Sequence, residues 1–244
     1  MDMTTSIGPQ YQDATKYVRG RPVPQAPGWA AAPPPYKVYE DYLEFMRLSD
    51  PEREGGSSTW EVIEERRSER KFTAEPLAAA EVSQLLWASA GLTGEHEEID
   101  LRATGSAGAL YPNETYLIVQ AVDGIAQGVY HYDVRAHGLG MLADGNFSEE
   151  LAQGCLGQTW MQSAGAVFVW GAVVARCAWK YQNRAYRYLY LDAGHLGAQL
   201  QLAAVALGLG SCNVGAFFDD EVAQLIGIDG RTEIVTYLTA VGRV

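Results

Sequence analysis

The chain is short of basic residues for its size. Its 244 residues include 18 Lys and Arg against 30 Asp and Glu, which gives a formal net charge of −12 at pH 7. Nucleic acids and anionic membranes are bound mainly through basic surfaces. We therefore expect neither of them as a partner, and a cluster of arginines in such a chain becomes informative.

Cysteine and long apolar runs are also scarce. The three cysteines, Cys155, Cys177 and Cys212, form no CxxC pair, and an odd number cannot all pair within one chain. The N-terminus lacks the apolar core of a signal peptide, and no run approaches the roughly 18 apolar residues that a membrane span needs. These absences favour thiols in a reducing compartment, so we predict a cytoplasmic protein.

Several signatures of catalysis and cofactor binding are missing as well. No GxxxxGK phosphate loop is present, and no GxGxxG fingerprint follows a predicted strand. No His, Cys and Asp grouping has the spacing of a metal site, so we expect no metal. No GxSxG or Cys-His pattern suggests acyl transfer.

Proline is concentrated near the N-terminus. Six of the ten prolines fall between positions 22 and 35, which favours extended backbone and excludes a helix there. Tyr11, Tyr17 and Trp29 are unusual in a solvated tail, so we expect part of this arm to lie on the core or on a partner subunit. We predict a Pro-rich arm over residues 1–50 and one domain over 51–244.

Within that domain the hydrophobic pattern predicts α+β architecture. Strands and helices interleave without a regular βαβ rhythm, which favours a sheet sandwiched by helices over a doubly wound fold. The pattern predicts helices at 59–67, 76–91, from 151 and at 186–207, strands at 115–122, 128–132, just before 143, 164–174 and 232–241, and a loop at 94–108.

The predicted helix at 186–207 is apolar on nearly every side. Such a helix must be buried all round, and in a chain of this size a subunit interface is a natural place for it. It contains one histidine, His195. A satisfied core histidine is a better interpretation of His195 than a ligand.

The first candidate site is Arg66-Arg67-Ser68 with Arg70, at the end of a predicted helix. Arginine forks match phosphate oxygens in pairs, and a serine hydroxyl adds a neutral donor. Glutamates at 61, 64, 65 and 69 lie nearby in the sequence, so a solvated, self-neutralised helix end stays open as an alternative.

The second candidate is the run of small residues from Thr104 to Pro112, TGSAGALYP. Such a loop lets backbone N–H groups approach a flat or anionic ligand closely. A flexible connection is the alternative.

The third candidate is Lys180-Tyr181, which lies among further cations and tyrosines. Both residue types transfer protons when their pKa values fall through burial or neighbouring positive charge. The alternative is an amphipathic helix start with cations extended over a tyrosine belt.

Together these segments resemble the nitroreductase-like flavoproteins and, within them, the SagB-type dehydrogenases. The resemblance covers residues 60–244, and the ordered set of motifs is specific although each one alone is weak. The matching segments are RRSERKF (66–72), LLWASAGLTG (85–94), RATGSAGALYPNETYLIV (102–119), GVYHYD (128–133), KYQNRAYRYLYLDAGHLGAQLQLAAVALGLGSCNVGAF (180–217), IGIDG (226–230) and AVGR (240–243). The resemblance implies a nitroreductase-like fold with a mixed central β-sheet sandwiched by helices, a homodimer with a long buried interface helix, and FMN at the dimer interface.

Carried over by position, the resemblance assigns three sets of residues. Those expected at the flavin phosphate and ribityl chain are Arg66, Arg67, Ser68, Arg70 and Arg243. Those expected at the flavin ring are Ser106, Ala107 and Gly108 from the other subunit, with Val214, Gly215 and Ala216. Lys180 and Tyr181 match the catalytic pair. The chain departs from the family pattern at Gly105, where proline is common, and at Ala198-Gln199, where Gln-Asn is common.

The implied activity is oxidation of azoline rings, made from Cys, Ser or Thr of a ribosomal precursor peptide, to azoles. Lys180 or Tyr181 would be the base if its surroundings lower its pKa, and a cyclodehydratase complex is an expected partner. Three alternatives stay open. They are an NAD(P)H-dependent reductase of nitro groups, quinones or flavin, another two-electron oxidation of a small natural product, and a non-enzymatic scaffold.

Overall fold

The computed structural model describes residues 6–23 and 31–244. Its helices are α1 (Ile7–Thr15), α2 (Thr59–Glu65), α3 (Ala79–Ala90), α4 (Ser148–Gly154), α5 (Val174–Tyr181), α6 (Ala185–Ala206) and α7 (Asp219–Leu225). Its strands are β1 (Glu44–Arg47), β2 (Leu77–Ala78), β3 (Leu92–His96), β4 (Ile99–Arg102), β5 (Asn113–Val119), β6 (Val122–Asp123), β7 (Gly128–Asp133), β8 (Gly138–Asp144), β9 (Ala166–Val173), β10 (Gly210–Val214) and β11 (Glu233–Gly242).

A seven-stranded sheet forms the centre of the described part of the chain. Its order is β1-β8-β7-β5-β9-β11-β10, and each neighbouring pair is antiparallel. A parallel pairing occurs in the short β2–β6 pair. Strand β5 and nearly all of β9 are buried, because apolar clusters cover both faces of the sheet. The predicted α+β class, with a sheet between helices, is confirmed.

The predicted loop at 94–108 is wrong over its first half. Strands β3 and β4 pair there as an antiparallel hairpin. Its two turn residues, Glu97 and Glu98, have φ values of 48° and 63°. A tight hairpin turn of this kind usually carries Asn-Gly or Asp-Gly, so Glu-Glu gave no turn signal in the sequence.

Helix boundaries differ from the predictions where local hydrogen bonds decide them. Helix α2 begins at a capping box in which Ser58 and Glu61 bond each other's backbone, and it ends two residues before the predicted Arg67. The second helix begins at Ala79 rather than at Pro76. Residues 77–78 instead form β2, where the Leu77 N–H donates to the Ala121 carbonyl at 3.0 Å.

Helix α6 is buried on one face only within a single chain. Leu189, Leu196 and Leu200 pack into the core, whereas Tyr190 and Leu191 are 52% and 56% exposed. The sequence analysis places the rest of the α6 surface in a subunit interface, and the structure of a single chain does not test that prediction. His195 is also exposed, so its interpretation as a core histidine is wrong.

The N-terminal segment makes specific contacts with the domain. Helix α1, which the sequence analysis did not predict, ends beside α6, where Arg184 donates to the Thr15 carbonyl at 2.6 Å and Arg187 to the Thr15 hydroxyl at 2.7 Å. Lys37 donates to Glu233 at 2.5 Å. Trp29 and the prolines at 24 and 27 lie outside the described residues. Among the residues described, no helix is long and apolar enough to cross a membrane.

Candidate functional site

The arginine-rich segment lies along the open edge of the sheet. The Glu69 N–H donates to the Ser211 carbonyl of β10 at 2.9 Å, and the Thr73 N–H donates to the Arg243 carbonyl after β11 at 2.9 Å. These bonds fix the backbone of residues 66–73 against two strand ends. Helix α2 ends at Glu65, so only Arg66, its C-cap, lies at a helix end. The alternative interpretation of this segment as a solvated helix end therefore does not apply to Arg67, Ser68 or Arg70.

The side chains of this segment are exposed or half-buried. Burial raises the pKa of the Cys212 thiol, and the neighbouring Arg70 and Ser68 partly offset this rise. Arg70 also lies over the Trp160 ring at 5.9 Å. Arg67 donates to the Glu64 and Arg66 carbonyls at 2.8 and 2.9 Å. The segment is thus a row of cations without an ion pair among the described residues.

Arg243 is held differently from the other predicted phosphate ligands. Its guanidinium makes a two-fold ion pair with Glu81 of α3, with both N–O distances at 2.9 Å. The Glu81 carboxylate also caps α3 by accepting from the Ala78 N–H at 2.8 Å. A phosphate at Arg243 would therefore share this guanidinium with Glu81.

The predicted ring-lining residues lie where β10 ends. Val214 is buried, whereas Gly215 and Ala216 are exposed. Gly215 borders a cavity of about 420 Å³, whose other walls include Asn213, Tyr237 and the α6 residues Tyr190 and Gly194. Ligand pockets usually measure roughly 300–1,000 Å³ and combine aromatic walls with a few polar groups. The size and lining of this cavity suit a planar cofactor ring.

The small-residue loop is ordered by one buried carboxylate. Ser106 donates its hydroxyl proton to Asp192 at 2.6 Å, and the Ala107 N–H lies 3.3 Å from both oxygens of the same carboxylate. The Ser106 hydroxyl in turn accepts from the Tyr111 N–H at 3.0 Å. The loop is therefore a fixed structure rather than the flexible connection that stood as its alternative.

Lys180 and Tyr181 meet this loop at Gly108. They are the last two residues of α5. A Cβ built on Gly108 would lie 2.7 Å from the Tyr181 hydroxyl and 2.9 Å from the Lys180 ammonium nitrogen. Gly108 also has a φ of +66°. Only glycine combines that φ with so close an approach at low cost, so the loop and the pair form one arrangement.

The pKa of Tyr181 moves against the expectation from sequence. Burial raises the pKa of Tyr181, and the neighbouring Tyr188, Cys177 and Asp192 raise it further. The sequence analysis required a lowered pKa for Tyr181 to act as a base, and the structure does not meet this requirement. A phenol that stays protonated at neutral pH is suited to donate a hydrogen bond or a proton.

A buried ionic network holds α5 in place from its other end. Arg176 of α5 donates to Glu114 of β5 at 2.5 Å and to the carbonyls of Tyr111 and Pro34 at 3.3 and 2.8 Å. His131 lies 3.1 Å from the second Glu114 oxygen. Since Tyr111 belongs to the small-residue loop, Arg176 ties that loop to the helix that carries Lys180 and Tyr181.

The same network predicts a loss of stability in acid. Burial works to raise the pKa of Glu114, but the hydrogen bond from His131 and the charges of Arg176 and Arg102 outweigh it and lower that pKa to about 2. A carboxyl with a depressed pKa in the folded state stabilises the fold above its unfolded pKa and loses that contribution as pH falls through its folded pKa. We expect the free energy of unfolding to fall between about pH 4.5 and 2, measured by urea titration. In Glu114→Gln this part of the pH dependence should vanish, and an unchanged slope in the variant would contradict the assignment.

Sequence reasoning missed Asp192 and the Glu114–Arg176 pair. Asp192 is a lone acid in an otherwise apolar stretch of helix. This was a usable signal, because a buried carboxylate usually has a hydrogen-bond partner. Nothing in the sequence signalled the pairing of residues 62 positions apart. Gln199, noted as a family departure, donates to the Ala103 carbonyl at 3.2 Å and so fixes the start of the loop to α6.

The residues present fit FMN as the cofactor. An open row of arginine and serine donors suits one phosphate group, and the cavity at Gly215 suits a planar ring. Within one chain the described contacts of the arginine segment include β10, Arg243, Glu64 and Trp160, and those of the small-residue loop include β4, β9, α5 and α6. These contacts do not join the two groups.

Comparison with known proteins places the chain in a family. The model of the nitroreductase family matches residues 63–243. A nitroreductase-type protein of Methanocaldococcus jannaschii is 35% identical over 75% of this chain and 89% of its own length. The trifolitoxin-processing protein TfxB of Rhizobium leguminosarum bv. trifolii is 35% identical over 48% of this chain, which spans 32% of that protein.

Solved structures show the same fold. A nitroreductase-type protein from Anabaena variabilis has a TM-score of 0.75 and 29% identity, over 96% of this chain and 46% of that one. The Escherichia coli microcin synthetase complex McbBCD, solved with truncated pro-MccB17 bound, has a TM-score of 0.63 and 20% identity, over 100% of this chain and 84% of its own. The predicted fold and the resemblance are confirmed: the chain belongs to the nitroreductase family and is an FMN-dependent oxidoreductase.

Proposed function

We propose that this protein is an FMN-dependent dehydrogenase that oxidises thiazoline or oxazoline rings in a ribosomally made peptide to azoles. The observation that carries the proposal is the meeting of the Lys180 ammonium and the Tyr181 hydroxyl at Gly108. Two groups that can move protons thus lie together beside a loop proposed to approach the flavin. By position, the pair also matches the catalytic pair of the azoline-oxidising dehydrogenases that the sequence resembles.

FMN, when bound, supplies the chemistry of accepting two electrons as a hydride from the substrate ring. In the proposal Arg66, Arg67, Ser68 and Arg70 hold the phosphate end, with Arg243 released in part from Glu81. Val214, Gly215 and Ala216 line the ring. Ser106, Ala107 and Gly108 approach it from the partner subunit, where the Asp192 carboxylate fixes their backbone.

Oxidation of an azoline also removes a proton from the ring, and the protein must take it. Tyr181 has a raised pKa and stays a donor, so it is suited to hydrogen-bond the ring heteroatom or the peptide carbonyl. Lys180, whose side-chain nitrogen lies 5.5 Å from the centre of the Tyr181 ring, is the group we assign to receive the proton, acting in its neutral amine form with a free lone pair and becoming the ammonium. Both residues depend on Asp192 and Arg176, which hold the small-residue loop and α5 in their positions relative to each other.

The proposed partners are a second copy of the chain and a cyclodehydratase. TfxB is named as a trifolitoxin-processing protein, and McbBCD is a microcin synthetase complex. Both support a peptide natural product as the substrate class. Direct evidence for the activity would come from a synthetic peptide with one thiazoline ring, incubated with the FMN-loaded protein and air. Loss of two hydrogen atoms per ring in the mass spectrum would support the proposal, and an unaltered ring would reject it.

A second candidate is an NAD(P)H-dependent reductase, which the 35% identity to the Methanocaldococcus jannaschii protein favours. The two functions differ in their electron source. Rapid NAD(P)H oxidation with a nitroarene or quinone, combined with an inert thiazoline peptide, would establish this alternative instead.

Loss of the phosphate contact should separate binding from chemistry. Arg70→Ala removes a charge-assisted contact worth roughly 1.5–3 kcal/mol, so FMN occupancy after purification should fall and added FMN should partly restore turnover. Flavin release measured by fluorescence gives the dissociation constant. Arg231→Ala, at an exposed position in the turn before β11, is the matched control and should bind FMN normally. Equal FMN affinity in both variants would remove Arg70 from the phosphate site.

The exposed face of α6 should be a subunit interface. Leu191 and Tyr190 on α6 are more than half exposed in one chain, as is Trp60 on α2 at 79%. Obligate interfaces of this kind usually bury about 2,000–5,000 Å². Light scattering should show a dimer, and Leu191→Glu should dissociate it, whereas Val38→Glu, at another exposed apolar residue, should not. A wild-type monomer that holds FMN at micromolar concentration would contradict the interface.

A further inference from the structure

A second cavity lies beside Tyr181. It has a volume of about 210 Å³, and its walls are residues 14–18 and 21–23 of the N-terminal segment and residues 181–184 after α5. Tyr181 borders this cavity and also reaches Gly108. A group bound in the cavity would therefore lie next to the proposed catalytic pair.

The cavity is positively charged in a strongly acidic protein. Its described walls contain three cations, Lys16, Arg21 and Arg184, and no acidic residue. Lys16 is paired with Asp13 at 2.6 Å, and Arg184 donates to the Thr15 carbonyl and to the Tyr188 hydroxyl. Arg21 has no ion pair within residues 6–23 and 31–244. Its guanidinium is thus available to an external anion.

The walls of the cavity are held in a defined shape. Arg184 packs over the Tyr17 ring at 4.1 Å, and Arg187 bonds Thr15, so the N-terminal wall is fixed to α6. Gln182 in the opposite wall has φ 49° and ψ −134°, a conformation that costs a non-glycine residue energy and persists only where its surroundings impose it. The cavity is therefore formed by the N-terminal segment and the connection between α5 and α6, both of which are held in place.

We propose that this cavity is a subsite for a carboxylate of the peptide substrate, with Arg21 as its principal ligand. The inference rests on the proposed function, since it takes the substrate to be a peptide that enters at Tyr181. A guanidinium fork matches a carboxylate by two parallel N–H···O bonds. An Asp or Glu near the ring being oxidised would then fix which ring of a peptide is presented to Lys180 and Tyr181.

Binding of azole product peptides tests the subsite without turnover. The probes are fluorescein-labelled, C-terminally amidated peptides that contain one thiazole. They are made in pairs that differ only by Asp or Asn at one position, and each pair places that residue at a different distance from the thiazole. At one position the wild type should bind the Asp peptide about fivefold more tightly, which corresponds to roughly 1 kcal/mol, the upper range for an exposed ion pair. Arg21→Gln should abolish that preference, whereas Arg19→Gln, on the same segment outside the cavity, should keep it.

The outcomes separate this inference from the proposed function. Equal affinity for all Asp and Asn peptides, or an equal loss for both in Arg21→Gln, would overturn the subsite even if thiazolines are oxidised. An Arg21-dependent Asp preference with no thiazoline oxidation would support the subsite and reject the proposed function. If Arg21→Gln instead weakens NADPH but not NADH, the cavity holds a phosphate and the carboxylate assignment is overturned.

Discussion

Lys180→Ala and Tyr181→Phe should keep FMN bound and lose azole formation by about 10²–10⁴-fold, the usual contribution of a positioned general acid or base. The Tyr181 change removes one hydroxyl, and its oxygen is the atom nearest to a Cβ built on Gly108. A residue that only packed against Tyr188 would tolerate this change, because the ring is kept. The measurement is the rate of thiazole formation by mass spectrometry at saturating peptide, with the bound flavin measured by its absorbance.

Matched controls make this result specific. Tyr186→Phe removes a hydroxyl from an exposed tyrosine of α6, and Lys71→Ala removes an exposed lysine beside Phe72. Both should keep wild-type rates. Full activity in Tyr181→Phe and in Lys180→Ala, with FMN still bound, would remove the catalytic assignment and leave the family assignment intact.

Glu114→Gln should lower the free energy of unfolding by about 3–5 kcal/mol, because removal of one partner leaves a buried charge uncompensated. Glu114 and Arg176 are 3% and 4% exposed, so water cannot replace the lost carboxylate charge. Urea unfolding at neutral pH, with an unchanged slope against urea, measures this loss.

Two comparisons establish that the buried charge is the cause. Glu150→Gln, at an exposed position of α4, should change stability by less than about 0.5 kcal/mol. Glu114→Gln combined with Arg176→Met should be less destabilised than Glu114→Gln alone, since no charge is then left unpaired. A loss below 1 kcal/mol in Glu114→Gln would mean that the network is not a major stabilising element.

The sequence predicted those parts of the fold whose pattern has one interpretation. The run 164–174 lies within two residues of β9, because a continuous β-branched and aromatic stretch of that length fits a strand buried on both faces. Residues 186–207 differ by one residue at each end from α6. The β3–β4 hairpin was missed because Glu97-Glu98 is not a hairpin-turn sequence.

The sequence predicted which segments contribute to the candidate site, but it did not predict how those segments contact one another. Arg66, Gly108 and Lys180 were each visible as parts of motifs, and the resemblance gave them roles. That Gly108 touches Lys180 and Tyr181, or that Asp192 fixes Ser106, depends on packing between residues about 70 to 86 positions apart. The sequence pattern could not show which side of α6 is exposed in one chain, because both sides carry apolar residues.

The most direct test of the central claim is an anaerobic single turnover. FMN-loaded protein is mixed with a thiazoline peptide, without NAD(P)H, and the visible flavin absorbance is followed while the peptide is sampled for mass. The proposed function predicts that one mole of flavin is bleached for each mole of thiazole formed, and that the flavin regains its colour when air is admitted. Flavin that stays oxidised with the peptide and bleaches only when NAD(P)H is added would contradict it.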